Sequence, residues 1–81
     1  MINKNTEKLI KELTGKGWQF MLVYAPIVNS LSEPPEWFWE ADFSIELPNG
    51  LYDNHQSGFH PSDPNKAIEV AYRNIKEGHR L

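Results

Sequence analysis

"WFWEADFSIELPNGLYDNH", residues 37–55, alternates and then turns. From Trp37 the odd positions are Trp37, Trp39, Ala41, Phe43, Ile45 and Leu47, and the even positions from Glu40 are Glu40, Asp42, Ser44 and Glu46. Successive side chains of a strand point to opposite faces, so this run predicts a strand with one apolar face and one acidic face. Phe38 is the exception and falls on the acidic face. The alternation favours Trp37 and Trp39 as core residues. Asn49-Gly50 then marks a hairpin, because both central residues of a type I′ turn need positive φ. A two-residue turn sets Leu47 opposite Tyr52, Glu46 opposite Asp53 and Ser44 opposite His55. The strand that follows, "LYDNHQSGF" over 51–59, is polar on both faces and predicts a sheet edge, bulged near Gly58.

Working outward, "WQFMLVYA" over 18–25 is rich in β-formers and too apolar to alternate. It predicts a strand covered on both faces, in the centre of the sheet and ended by Pro26. "PIVNSLSEPPE", 26–36, predicts a loop, since adjacent prolines resist both helix and central strand. A first helix is predicted over about residues 4–15. Asn3, Asn5 and Thr6 are its candidate caps, Leu9, Ile10 and Leu13 its apolar stripe, and Gly15 and Gly17 its stop, with Gly15 as the left-handed cap. The last helix is better marked. Asp63 is the N-cap, Pro64 the first helical residue, and Ala67, Ile68, Ala71, Tyr72 and Ile75 recur on one face before Gly78.

The order α-β-β-β-α predicts an α+β fold over residues 1–81: a single small domain in which a three-stranded antiparallel sheet has both helices packed on one face. The other face is left to solvent. Charge follows these elements. The net charge of −3 comprises +2 over residues 1–17, −7 over 18–65 and +2 over 66–81, and no Lys or Arg occurs from Trp18 to Asn65. The acidic middle is the sheet, and the cations lie on the helices.

Several function classes are disfavoured. With 0 cysteines the chain has no disulfide framework, thiolate nucleophile or cysteine-bound zinc. It has no Gly-rich phosphate loop, HExxH or GxSxG, and His60 and His79 have no nucleophile at motif spacing. No enzyme activity, cofactor or metal is expected. Asp42, Glu46, Asp53 and His55 could meet as oxygen and imidazole ligands if the hairpin register holds, but splaying into water is the simpler reading. The N-terminus lacks the apolar run of a signal peptide and no stretch approaches a membrane span, so the expected location is the cytoplasm, without membrane contact.

The element order, with "SGFHPSDPNKAIEVAYRNI" over 57–75 as a glycine, a short gap, a capped Pro-containing start and an Ala-rich amphipathic helix, resembles double-stranded-RNA-binding-domain-like folds. It is similar, too, to phage ABA-sandwich proteins and HicB-type antitoxin domains. The resemblance implies RNA binding through the helices, an antitoxin or scaffold domain that forms a homodimer through its edge strand, or a phage-type inhibitor. Of these, RNA binding needs a cluster of lysines at the start of the last helix, and "DPNKAIE" over 63–69 holds only Lys66. Direct nucleic-acid contact is therefore not the expectation.

The leading expectation is a protein-binding module. Its contact residues would be Phe38, Glu40, Asp42, Glu46 and Asp53 on the open face, with Glu33 and Glu36 of the adjoining loop. Its partner would present a basic surface, since charge complementarity selects partners and speeds association. An acidic face can also imitate the charge of nucleic acid, which points to an inhibitor of a host nucleic-acid-binding or anti-phage defence protein.

Overall fold

The computed structural model describes residues 2–27, 34–46 and 53–78. In chain order they form α1 (Lys4–Gly15), β1 (Gln19–Ile27), β2 (Glu36–Glu46), β3 (Asp53–His60) and α2 (Pro64–Gly78). The three strands make one antiparallel sheet in the order β1-β2-β3, with two helices, as the sequence predicts. Glu46 pairs with Asp53 and Ser44 with His55. The Asn49-Gly50 turn, the Leu47–Tyr52 pair and Glu33 lie outside the described residues.

Local signals fix the helix ends. The Asn3 side chain accepts a hydrogen bond from the Thr6 N–H at 2.8 Å and starts α1. Asp63 does the same for α2, accepting from the Asn65 N–H at 2.9 Å, with Pro64 next to it as the first helical residue. Gly15 is not the left-handed stop of α1. That conformation belongs to Gly17, at φ 102°, after a last turn in which Lys16 donates to the Leu13 carbonyl. The two helix starts are tied by the Asn3 N–H donating to Asn65 Oδ1 at 2.9 Å, and their later turns by Glu12. Glu12 accepts from the Tyr72 hydroxyl at 3.0 Å and from Lys76 Nζ at 2.8 Å. These bonds hold its carboxyl below the usual glutamate range.

The core lies between the helices and one sheet face. Ala41 and Phe43 of β2 meet Leu13, Trp18, Ala67, Ile68, Ala71 and Ile75, and all eight are buried. Trp39 and Ile45 pack against this cluster from the same face of β2. Trp37 does not join it and is 49% exposed, because the ribbon of β1 and β2 outruns the rest of the fold. Pairing of β2 with β3 stops at Trp39–His60, whereas pairing of β1 with β2 continues to Ile27–Glu36. Trp37 sits on this overhang, stacked on Tyr24 with ring centroids 5.3 Å apart.

Three further expectations are corrected. The apolar strand at 18–25 is an edge, not the centre: hairpin connections place β2 in the middle of a three-strand meander. Pro26 does not end that strand but lies within it, paired with Trp37, which an edge tolerates where the missing N–H faces off the ladder. Nor is β3 bulged at Gly58, which pairs in unbroken register with Ala41. The glycine is there for α2. A Cβ built on Gly58 would fall 2.1 Å from the Ala67 carbonyl oxygen and 2.5 Å from the Ala71 nitrogen, both backbone atoms that cannot swing aside.

Two predictions follow from this packing. Gly58→Ala should destabilise the fold by about 3 kcal/mol or more, the scale of overpacking against a rigid neighbour; urea unfolding close to wild type would refute the contact. Thr6 is fully buried, and its Oγ1 has no hydrogen-bond partner among the described residues. Thr6→Val keeps the shape and removes an unsatisfied hydroxyl, so it should raise stability by about 1 kcal/mol in the same assay.

Candidate functional site

The sheet face opposite the core has no element packed on it among the described residues. Register determines what it carries. Across the three strands the rows are Val23–Glu40–Phe59, Met21–Asp42–Ser57 and Gln19–Ser44–His55. Beyond them Ala25 lies beside Phe38 and Ile27 beside Glu36, while Glu46 pairs with Asp53 at the other end. The central strand therefore carries four carboxylates on this face, Glu36, Glu40, Asp42 and Glu46, of which Glu40 and Asp42 are adjacent at about 7 Å, with Phe38 and Ser44 between the others. Apolar β1 side chains flank them on one side, and Ser57, His55 and Phe59 on the other.

This arrangement brings together most of the residues singled out from the sequence. Glu36 and Glu46 are exposed, while Glu40 and Phe38 are half-buried on the same face. Asp53 is placed by register alone. Asp42 differs from the rest. It is on the open face, yet its side chain is only 9% exposed. Ser57 Oγ donates to Asp42 Oδ1 at 2.5 Å, and His55 Nε2 lies 3.2 Å from the same oxygen. A carboxylate so occupied is a fixed part of the sheet surface, not a free contact group.

Glu40 is two residues away on the same face, and its carboxyl is pushed above the usual glutamate range. Its hydrogen bond with Asp42 is the main cause, followed by partial burial and the Asp42 charge, against a smaller opposing effect from His55. Two carboxylates that share a site favour keeping a proton on one of them.

Ser57, His55 and Asp42 invite comparison with a nucleophilic triad. There the histidine accepts the serine proton on one nitrogen and is held by the acid through the other. Here Ser57 gives its proton to Asp42 directly, and one nitrogen, His55 Nε2, faces both Asp42 at 3.2 Å and Ser57 at 3.4 Å. That nitrogen cannot accept from one and donate to the other at once. The serine is thus bonded directly to a carboxylate on the open sheet face, an arrangement that differs from that triad. Among the described residues no three His, Asp or Glu side chains gather closely enough to hold a metal ion. Of the four residues read from the sequence as ligands, Asp42 and His55 are brought together, and Glu46 lies four residues along β2 from Asp42.

Sequence reasoning missed the apolar half of this face. Met21 is 56% exposed and Phe59 47% exposed. Both were hidden inside strands that do not alternate cleanly. The usable signal was the pairing itself: once Glu40 is placed, its neighbours Val23 and Phe59 follow by register.

No protein-family model, curated protein or solved structure matches this chain. What stands from the resemblances above is the general topology, α-β-β-β-α with a three-stranded antiparallel sheet. Among the described residues no helix is long and apolar enough to cross a membrane. Taken together, this is a small open-sheet α+β domain of the kind suited to protein interaction.

The Glu40–Asp42 pair gives a pH prediction. A carboxyl whose pKa is raised on folding contributes stability at pH values below its unfolded pKa, and that contribution is lost as pH rises through the folded value. Wild-type stability should therefore decline, relative to Glu40→Gln, as pH climbs through and just above the ordinary glutamate range. The Glu40 side-chain carbon, followed by NMR, should titrate above a free glutamate and move back toward it in Asp42→Asn. An ordinary midpoint in wild type would show that the two carboxyls do not interact.

Proposed function

We propose that this chain is a non-enzymatic protein-binding module that uses its open sheet face to engage a basic, partly apolar surface of another protein. One observation carries the reading: among the described residues nothing is packed on one sheet face, which has carboxylates along the middle and exposed Met21 and Phe59 on either side. Interfaces commonly combine apolar and aromatic anchors with a charged surround, and Phe38 adds a third anchor on this face. Glu36, Glu40 and Glu46 supply the charge that selects a cationic partner, while Asp42 fixes the surface between them. The finer reading is an inhibitor that presents an acidic surface in place of nucleic acid, directed at a nucleic-acid-binding host factor or defence protein. Its working compartment is the cytoplasm.

RNA binding through the helices has less support. Lys11 pairs with Glu7 at 2.9 Å, Lys16 with Glu12 at 3.7 Å and Lys76 with Glu12 at 2.8 Å, so three of the cations that a phosphate would need already face carboxylates.

The variants that test the proposal leave Asp42 intact. Affinity capture with wild type should yield a basic protein whose measured affinity falls as salt rises. Glu36→Lys with Glu40→Lys should weaken that affinity at least about tenfold, and Phe38→Ala by a similar factor, with circular dichroism unchanged. A captured partner that binds these variants as tightly as wild type would place the interface elsewhere.

A further inference from the structure

The open face divides into lanes. β1 lays an apolar lane along one side, Met21, Val23, Ala25 and Ile27, and β2 lays the acidic lane beside it, one strand spacing of about 4.8 Å away. Phe59 stands on the far side of Glu40. Met21 is 56% exposed and Phe59 47% exposed, so apolar surface meets water directly beside the carboxylates.

The carboxylates of this face lack what those of the helices have. Glu7 is paired with Lys11, and Glu12 with Lys76. From Trp18 to Asn65 the chain has no Lys or Arg, so the sheet supplies no such partner to Glu36, Glu40 or Glu46, and His55 is held at Asp42. The cations of α1 and α2 belong to the layer on the other side of the sheet. A cation for the acidic lane therefore comes from another molecule, and it arrives next to exposed apolar surface.

The sheet also limits the shape of that molecule. A proline within a ladder turns its nitrogen away from the paired strand, so Pro26 faces outward on the β1 edge with no N–H to give and obstructs an added strand there. A partner that uses both lanes has to lie on the face. Three strands set the outer two about 10 Å apart, the width of one helix. Over Trp39–Ser44, where β2 is paired on both sides, the sheet extends about 20 Å, which a helix of about 13 residues spans.

We propose that the occupant of this face is an amphipathic α-helix of the partner, laid along β2, with an apolar stripe over Met21 and Val23 and a stripe of Lys or Arg over Glu36, Glu40 and Glu46. The proposal rests on the reading of this face as a protein-binding surface and adds which element binds it. A helix presents two such stripes side by side, because residues three and four apart share a face. Lys and Arg lay their aliphatic stems on apolar surface and carry the charge beyond it, which suits carboxylates set beside Phe38 and Phe59. The docked helix gives the sheet a helical layer on each side.

The probe is a designed helical peptide of about 18 residues, blocked at both ends, with a leucine stripe beside a lysine stripe. A scrambled peptide of the same composition, without stripes, controls for charge. Titrated into the isotope-labelled full chain, the amphipathic peptide should shift the Met21 methyl and Phe59 ring signals, leave the Leu9 methyls in place, and bind at least about tenfold tighter than the scrambled one. Met21→Glu separates a helix from charge alone. It breaks the apolar lane while adding negative charge, so it should weaken the amphipathic peptide at least about fivefold, whereas a purely electrostatic surface would hold it more tightly. If Met21→Glu fails to fold, Phe59→Ala should weaken the peptide likewise, and unchanged affinity there would overturn the helix. Equal affinity of both peptides for this face would overturn the helix and leave the acidic binding face standing. No shift on the sheet with either peptide would overturn both. Concentration-dependent shifts on the face without peptide would assign it to a second copy of the chain and overturn the proposal.

Discussion

The fold rests on how closely α2 approaches β3. Gly58 has no side chain, and the helix presents Ala67 and Ala71 to it, so helix and strand backbones nearly touch. That approach draws α2 over β3 and the neighbouring half of β2, where Phe43 fills the remaining space against Leu13 and Ile68. Small residues at one crossing thus let a short chain bury a large one at another. A domain of this size has few ways to gain stability, and close packing of a small core is the main one.

The same placement determines what stays bare. With α2 committed to β3, the helix side of β1 is left to α1, which spans the region near Trp18 and Phe20 and does not reach Trp37. The overhanging ribbon and the exposed rings of Tyr24 and Trp37 follow from that asymmetry. So does the contrast between the edges: β3 is polar and covered, β1 apolar and open. The exposed aromatics are therefore consequences of layer geometry before they are evidence of binding, and they gain functional meaning only where a partner geometry accounts for their position.

How much of this was legible depended on whether a signal was local. The helix start at Asp63, decided by one side chain and the next two N–H groups, was readable, whereas for α1 the sequence left Asn3, Asn5 and Thr6 open and the structure selects Asn3. The register of β2 on β3 was readable because alternation and an Asn-Gly turn each specify it. The place of β1 was not. An apolar run looks the same whether it is buried between neighbours or exposed at an edge, and only the sheet order separates the two. Gly58 was misread for a related reason. A glycine in a strand signals either a bulge or a close approach, and the approaching backbone comes from a helix several residues further on. Trp37 and Trp39 share a strand face and a residue type, yet only one lies under the helices.

Asp42 shows why a list of acidic residues is not a binding site. By pattern it belongs with Glu36, Glu40 and Glu46. By environment it is the hub of a polar cluster, bonded to Ser57, close to His55 and buried by its neighbours. Its effect on the face is indirect. It anchors the side chains of β3 against β2, and it makes the charge of Glu40 dependent on pH. A face built this way has Glu36 and Glu46 at its ends and, at its centre next to Phe38 and Phe59, a Glu40 carboxyl whose pKa is raised chiefly by its hydrogen bond with Asp42. A cationic partner would gain most by pairing with the ends and by drawing the last proton from Glu40 as it docks. Binding and deprotonation at that site are then thermodynamically linked, and affinity should be greatest on the alkaline side of the Glu40 titration.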